Sequence, residues 1–175
     1  RAAYHREVKR NSSDPGNKPG ESPARGLNVM LGYYKNEEAT QETIDEEGWY
    51  HTGDLGTMDD DGNVFINGRS KNMLLGPNGQ NIYPEEIEDK LNSMALVVES
   101  VVVQRDTRLV GLVYPDYDEA RKMNFNEDDI KNVMEQNRQQ LNEPLPAYEK
   151  ITDIEIRTEE FAKTPKRSIK RFLYS

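Results

Sequence analysis

The residues whose types could support chemistry are concentrated between Gly48 and Glu88. This stretch contains Trp49, a His-Thr-Gly-Asp run that ends at Asp54, then Arg69, and a glycine-containing loop before a helix start. An ionised carboxylate accepts hydrogen bonds without donating any, and it therefore suits a ligand that carries hydroxyl groups. The stretch is the candidate site of the chain, and the segments on both sides have the composition of ordinary scaffold.

General catalytic and nucleotide-binding signatures do not identify this site. The sequence has no Gly-Lys-Ser/Thr after a glycine-rich stretch, as a Walker P-loop requires, and no GxGxxG after a strand. Neither His5 nor His51 has Ser, Cys or Glu at the spacing of a catalytic triad or a zinc site. A calcium loop starting at Asp59 would need Gly and Glu where the chain has Val64 and Ser70, so we predict no metal site.

Composition restricts the classes of partner. The chain has 175 residues, and its 32 acidic and 23 basic side chains give a net charge of −9. Such a charge disfavours nucleic acid as the main partner, because phosphates would be repelled. The chain has no cysteine and no apolar run long enough to span a membrane. We expect a cytoplasmic protein, with peripheral membrane association left open, and the initial Arg1 in place of Met leads us to expect a processed product or an excised fragment.

The first third of the chain has few strong signals for regular structure. Residues 1–26 are rich in Lys, Arg, Pro, Gly and Ser, which is typical of a loop or linker. The apolar run 27–31 is interpreted as a buried strand, and an acidic helix-like segment follows it. Strand-like arms at 55–58 and 64–66 flank an Asp-Asp-Asp-Gly-Asn turn, which predicts a β-hairpin.

The rest of the chain alternates helices and strands. The predicted elements are a helix from Pro84, an antiparallel pair of strands at 97–103 and 109–114, a helix at 126–141 capped by Asn126, a strand at 151–156 and a basic tail at 161–175. This order predicts an α+β fold. We expect a small domain with a short, mostly antiparallel sheet flanked by helices, preceded by a β-rich end segment.

Several runs in a fixed order resemble one known family. They are GLNVMLGYYKNEEAT, GWYHTGDLGTMDDDG, INGRSKNMLL, NGQNIYPEEIE, LPAYEKI and KTP, and they cover about residues 26–175. They are similar to the carboxy-terminal part of the adenylate-forming (AMP-binding) acyl-CoA synthetases, with long-chain fatty-acid–CoA ligases closest. The resemblance implies three parts: residues 1–69 end the large AMP-binding domain, residues 70–72 form a hinge, and residues 73–175 form a mobile carboxy-terminal domain.

The resemblance also implies residue roles. Asp54 matches the carboxylate that accepts hydrogen bonds from the ribose hydroxyls, and Arg69 matches the arginine that contacts the nucleotide near the ribose and phosphate. Lys71 matches the hinge position. Trp49 and His51 are interpreted as structural walls of the site and not as catalysts. The loop that would line the pantetheine tunnel of CoA consists of Asn78, Gly79, Gln80 and Asn81.

The tail departs from the family pattern at one position. The family places a catalytic lysine third after the proline of its Thr-Pro motif, where this chain has Ser168. Lys166 and Lys170 lie two positions on either side and would share a face with Ser168 if the tail were extended. Three interpretations stay open: a neighbouring lysine substitutes, adenylation is weakened while thioester formation survives, or the protein is not an active ligase.

The implied reaction has two steps and needs more than this chain. A carboxylic acid, expected to be a fatty acid, reacts with ATP and Mg²⁺ to give acyl-adenylate, and the CoA thiol then displaces AMP. The large amino-terminal domain would complete the site, so the chain alone is expected to be inactive and to hold no tightly bound cofactor. The alternatives are a non-catalytic relative with silenced adenylation and an enzyme that loads an acid onto a carrier protein.

Overall fold

The structure is a computed structural model that describes residues 5–6 and 19–175. It divides into two compact units, Arg1–Met73 and Leu74–Ser175. We call them the first and second units and describe each by itself.

The described residues of the first unit form short strands and one helix. Its elements are β1 (His5–Arg6), β2 (Gly20–Glu21), β3 (Ala24–Arg25), α1 (Glu37–Thr43), β4 (Asp54–Met58), β5 (Val64–Arg69) and a single 3₁₀ turn at Ser70–Asn72. Strands β2, β4 and β5 form an antiparallel sheet in that order, and β1 pairs with β3. The acidic segment predicted to be helical is α1, whose N-terminus is capped by the side chain of Asn36.

The predicted β-hairpin is confirmed in strands β4 and β5. The carboxylate of Asp59 accepts hydrogen bonds from the backbone N–H of Asn63 at 2.8 Å and from its side-chain amide at 2.9 Å. These bonds lower the pKa of Asp59, and the side-chain bond is the larger cause. Gly62 has φ of +82°, a conformation that glycine adopts without steric cost. The acidic run therefore closes a turn.

Two expectations for the first unit need correction. Much of the loop predicted at 1–26 lies outside the described residues, but residues 20–25 contain strands β2 and β3. The strand predicted at 27–31 is wrong, because Leu27 is 89% exposed and Leu31 fully exposed, and the chain turns at Gly26. An apolar run forms a buried strand only where another layer covers it, and no described residue of the first unit covers Leu27 or Leu31.

The second unit is a three-stranded sheet with helices. Its elements are β6 (Leu74–Leu75), β7 (Asn81–Ile82), α2 (Pro84–Asn92), β8 (Val97–Arg105), β9 (Arg108–Pro115), α3 (Tyr117–Lys122), α4 (Glu127–Asn142), β10 (Ile151–Ile156) and a 3₁₀ turn at Arg171–Leu173. The sheet order is β10-β9-β8; β8 and β9 are antiparallel as predicted, whereas β10 runs parallel to β9. The α+β class is confirmed.

Helices α2 and α4 cover one face of this sheet. Pro84 occupies the first turn of α2 and Asn126 forms a capping box with Asp129 at the start of α4, as the sequence predicts for both helix starts. The short helix α3 was not predicted. The buried residues on this face include Ile87, Leu91, Val102, Val113, Met134, Leu141 and Ile151.

The carboxy-terminal tail covers the opposite face. Phe161 is buried against Val101, Val103, Val110 and Leu112 of β8 and β9. Because both faces of the sheet are covered, β8 and β9 consist of continuous β-branched runs. These runs made the two strands recognisable in the sequence. The basic tail is therefore a packed layer of the domain.

Within the described part of the chain, no helix has the length and apolar character needed to cross a bilayer.

Candidate nucleotide-binding site and basic tail hairpin

Asp54 and Arg69 lie side by side at the paired ends of two strands. Asp54 opens β4 and Arg69 closes β5, and the two residues are direct partners in the antiparallel register. Arg69 Nε lies 3.1 Å from Asp54 Oδ1. The Arg69 side chain is 61% exposed, so much of its guanidinium faces solvent.

Thr52 connects this pair to the neighbouring strand. Its hydroxyl donates to the carbonyl of Ser22 at 2.8 Å and accepts the backbone N–H of Asp54 at 3.0 Å. Its carbonyl accepts a hydrogen bond from Nη1 of Arg69 at 3.0 Å. The Arg69 fork therefore spans Asp54 and the Thr52 carbonyl, and the geometry of the pair depends on the 52–54 segment.

Two tyrosines near this pair were not singled out in the sequence. The pKa of Tyr50 is raised, first by burial and then by its hydrogen bond with Tyr33. The charges of Arg69 and Asp54 also act on Tyr50, in opposite directions. Tyr33 lies in the run GLNVMLGYYKNEEAT and Tyr50 in the run GWYHTGDLGTMDDDG. The spacing of these runs does not indicate that the two hydroxyl groups are hydrogen-bonded.

The pair offers complementary chemistry to one kind of ligand. The Asp54 carboxylate is an acceptor for hydroxyl groups, and the Arg69 guanidinium is a donor for anions. A ligand with a diol close to a phosphate could use both groups at once. Trp49 lies near this segment, with the Arg25 guanidinium 5.8 Å from its ring centroid, which agrees with a structural role.

Lys71 lies in the 3₁₀ turn that follows β5. The turn spans Ser70–Asn72, and Lys71 is exposed. The division between the two units falls just after it, at Met73. The hinge role of residues 70–72 stays a prediction.

The glycine loop is the connection between the two-residue strands β6 and β7. The N–H of Gly76 donates to the carbonyl of Gln80 at 2.8 Å, and the side-chain oxygen of Gln80 accepts the N–H of Asn78 at 3.2 Å. Gly79 has φ of +78° and no atom within 4 Å of where a Cβ would lie. Asn81 lies in β7 and is exposed. The loop is thus an internally bonded turn with an open flank at Gly79.

The tail forms a hairpin at 162–170, so the extended arrangement considered for its lysines is wrong. The N–H of Thr164 donates to the Ser168 carbonyl at 2.8 Å, and the N–H of Arg167 donates to the Thr164 carbonyl at 2.9 Å. Lys166 is exposed in the loop of this tail hairpin, whereas Lys170 is half-buried in its second arm. Ser168 is exposed at the loop base, where its N–H donates to the Thr164 hydroxyl at 3.2 Å.

Two ion pairs fix the tail to the rest of the second unit, one to the sheet and one to α2. Lys163 Nζ lies 2.6 Å from Glu99 Oε1 on β8. Arg171 donates two parallel hydrogen bonds to Glu88 of α2, at 2.7 and 2.5 Å, and a third to the Val102 carbonyl at 3.1 Å. No short-range sequence pattern indicates these partners, because the paired residues are 64 and 83 positions apart.

The structure brings Asp54 and Arg69 together in the first unit and places the glycine loop and tail hairpin in the second. No group of three or more His, Cys, Asp or Glu that could hold a metal ion occurs among residues 5–6 and 19–175.

Comparison with known proteins identifies the family. Residues 71–174, more than half of the chain, match the family described as AMP-binding enzyme C-terminal domain. The chain belongs to this family. The 2-succinylbenzoate–CoA ligase of Bacillus cytotoxicus is 44% identical over 99 residues, which are 57% of this chain and 20% of that protein. The mitochondrial medium-chain acyl-CoA ligase of Homo sapiens is 45% identical over 94 residues, which are 53% of this chain and 15% of that protein.

A solved structure extends the similarity into the first unit. The adenylation domain of the carboxylic acid reductase from Segniliparus rugosus, in complex with AMP and a co-purified carboxylic acid, has a TM-score of 0.75 and 26% identity. The match covers 90% of this chain and 26% of that one. The chain spans about a fifth or less of the length of the two curated relatives. The relatives are CoA ligases named for different acids.

Proposed function

We propose that the chain is the carboxy-terminal part of an ATP-dependent acid–CoA ligase. In the first step an oxygen of the substrate carboxylate attacks the α-phosphorus of ATP, and pyrophosphate leaves. In the second step the sulfur of CoA attacks the acyl carbon, and AMP leaves as the acyl–oxygen bond breaks. Residues 1–69 end the large domain, residues 70–72 are the hinge, and residues 73–175 are the mobile domain.

One observation carries the proposal. Asp54 and Arg69, which belong to separate sequence motifs, are register partners with side chains 3.1 Å apart. In the bound state the Asp54 carboxylate accepts hydrogen bonds from both ribose hydroxyls, and Arg69 turns its exposed guanidinium toward the phosphate. The likeness to an adenylation domain solved with AMP supports this assignment.

Lys71, near the end of the first unit, and Gly79, in the second, have the remaining proposed roles. Lys71 absorbs the backbone rotation that exchanges one face of the mobile domain for another. The open flank at Gly79 lets the pantetheine arm of CoA approach the loop backbone, which a side chain would obstruct. Mg²⁺ enters with ATP as part of the substrate, and no ligand from this chain is assigned to it.

Negative charge on the attacked phosphate requires a cation, which Ser168 does not supply. The tail hairpin favours Lys166, because its side chain is exposed in the loop, whereas Lys170 is half-buried in a backbone-paired arm. If Lys166 is the cation, Lys166→Met abolishes adenylation and Lys170→Met does not. A silenced relative is the second candidate, because Ser168 lacks the charge; in that case Ser168→Lys restores adenylation.

The acid is proposed to be a fatty acid. The runs NGQNIYPEEIE and TPKRSIKRFLY resemble long-chain fatty-acid ligases, and one relative is a medium-chain acyl-CoA ligase. The full-length parent is incubated with ATP, Mg²⁺, CoA and a panel of aliphatic and aromatic acids, and AMP and acyl-CoA are measured by mass spectrometry. A carrier protein replaces CoA in a parallel series. Acyl-CoA from fatty acids supports the proposal; products from aromatic acids alone, or with the carrier alone, contradict it.

A further inference from the structure

His51 lies between two carboxylates in the first unit. Its Nδ1 is 2.9 Å from Oε2 of Glu21, and its Nε2 is 3.3 Å from Oδ2 of Asp45. All three side chains are about two-thirds buried, with exposed fractions between 29% and 33%. A residue that only lines a binding site does not need two carboxylate partners, so the contacts of His51 indicate a more specific role.

The three residues come from three separate segments. Glu21 is on β2, Asp45 follows α1, and His51 precedes β4. The Asp45 carboxylate is itself held in place, because it accepts the backbone N–H of Trp49 at 2.9 Å and that of Glu47 at 3.1 Å. The Trp49 bond is the largest cause of the lowered pKa of Asp45, and the His51 bond also lowers it. The Asp45 carboxylate is therefore held by two backbone N–H groups in addition to the imidazole.

Both ring nitrogens of His51 face carboxylate oxygens. An ionised carboxylate can only accept a hydrogen bond, so each nitrogen must carry a proton to make both contacts. That condition describes the imidazolium form, and a charged donor strengthens both hydrogen bonds. The imidazolium form of His51 can therefore donate to both carboxylates at once, whereas a neutral tautomer can donate to one; we call this arrangement the Glu21–His51–Asp45 bridge.

The bridge adjoins the segment that carries Asp54. His51 is followed by Thr52, whose hydroxyl fixes the Asp54 N–H and whose carbonyl accepts the Arg69 guanidinium. A displacement of His51 would move both Thr52 groups and change the position of the Asp54 carboxylate. Positioning by neighbouring side chains is the usual way in which a binding group is held within the small tolerance that recognition needs.

We propose that His51 is a positioning residue for ribose recognition. The Glu21–His51–Asp45 bridge holds the 52–54 segment so that the Asp54 carboxylate meets the ribose hydroxyls. The inference rests on the proposed function, because it takes the ligand of Asp54 to be an adenine nucleotide. It assigns the preference for ribose over deoxyribose to a residue that does not itself touch the nucleotide.

The test compares two nucleotides in the full-length parent. Acid-dependent pyrophosphate exchange is measured with ATP and with 2′-deoxy-ATP, and the ratio of their kcat/KM values is the readout. A hydrogen bond from a ribose hydroxyl to a carboxylate predicts a wild-type preference for ATP of roughly tenfold to hundredfold. His51→Gln is expected to reduce this preference to within about threefold of unity, and Glu21→Gln, whose amide oxygen still accepts a hydrogen bond but carries no charge, is expected to reduce it by a smaller factor.

The matched control is Asp59→Asn. Asp59 is a hydrogen-bonded carboxylate of the same hairpin, at the opposite end of β4. Asp59→Asn weakens the hairpin turn but leaves the contacts of His51 with Glu21 and Asp45 intact. The preference for ATP should therefore stay at the wild-type value even if activity falls. Glu21→Gln, an isosteric change, keeps the test valid if His51→Gln does not fold.

Equilibrium binding of AMP and 2′-deoxy-AMP to the same proteins gives the ratio of the two dissociation constants. This ratio reports the preference for ribose without turnover. A preference in His51→Gln and Glu21→Gln equal to that of the wild type overturns the inference, and so does a wild type that binds both nucleotides equally. A wild type without exchange whose binding preference is lost in His51→Gln supports the inference while refuting the ligase activity.

Discussion

The ion pair between Glu88 and Arg171 should dominate the stability of the second unit. The two side chains are 9% and 19% exposed and are joined by two parallel hydrogen bonds. Glu88 also accepts the N–H of Val102 at 2.5 Å, and Arg171 donates to the carbonyl of the same residue. We predict that Arg171→Leu destabilises this unit far more than the loss of an exposed pair would.

The size of the predicted destabilisation depends on the charge that Arg171→Leu leaves buried. Arg171→Leu leaves the Glu88 carboxylate buried without its cation, and breaking a buried pair in this way costs about 3–5 kcal/mol. A domain of this kind has about 5–15 kcal/mol of total stability. With a urea m-value of about 2 kcal/mol per M, the unfolding midpoint should fall by roughly 2 M. Replacing Glu88 and Arg171 together by Leu should recover part of the loss, because no unpaired charge is then buried.

Urea unfolding of the 175-residue chain measures this effect. Far-UV circular dichroism follows mainly α2, α3 and α4, whereas fluorescence follows Trp49, the single tryptophan, in the first unit. The control is Arg105→Leu, which removes an Arg–Glu pair with Glu155 that is about half exposed and should cost less than about 1 kcal/mol. A destabilisation by Arg171→Leu no larger than that by Arg105→Leu would show that burial does not make the Glu88–Arg171 pair more costly to break.

Three further changes have defined outcomes. Gly56→Ala places a Cβ 2.5 Å from the Phe65 carbonyl oxygen, so it should destabilise the β4–β5 hairpin by about 1–3 kcal/mol in fluorescence-monitored unfolding. Asn126→Ala removes the cap of α4 and should cost about 1 kcal/mol in the dichroism transition. Hydrogen bonds from Arg138, and then from Gln139, lower the pKa of Glu135 from 4.5 to about 2. This stabilisation is present above pH 4.5 and is lost as the pH falls toward 2, so acid titration should erase the stability difference between wild type and Glu135→Gln in that window.

The sequence predicted the second unit well because its signals are local. Pro84 and Asn126 mark helix starts through their own backbone chemistry, and the β-branched runs of β8 and β9 reflect burial on both faces. The parallel pairing of β10 was not predictable, because its partner is chosen by the helix that connects the strands and not by residues in the strand. The buried strand predicted at 27–31 was wrong for a similar reason, because the apolar composition of a run does not show whether another layer of the fold covers it.

The candidate site was predicted in part. Asp54 and Arg69 were identified by motif, but their register pairing depends on the turn between β4 and β5. The partners of His51 are 30 and 6 positions away, so no short-range pattern could have indicated the bridge. The tail hairpin was missed because Arg167 has φ of +63°, a conformation that sequence preferences assign to glycine.

Acid-dependent ATP–pyrophosphate exchange by the full-length parent, measured for wild type and for Asp54→Ala, tests the proposed role of Asp54 in an acid–CoA ligase most directly. The proposed role of Asp54 predicts exchange with fatty acids in the wild type and a loss of at least about tenfold in kcat/KM for ATP in Asp54→Ala, because a hydrogen-bonded carboxylate is removed. Exchange that is undiminished in Asp54→Ala, or absent from the wild type with every acid, would contradict it.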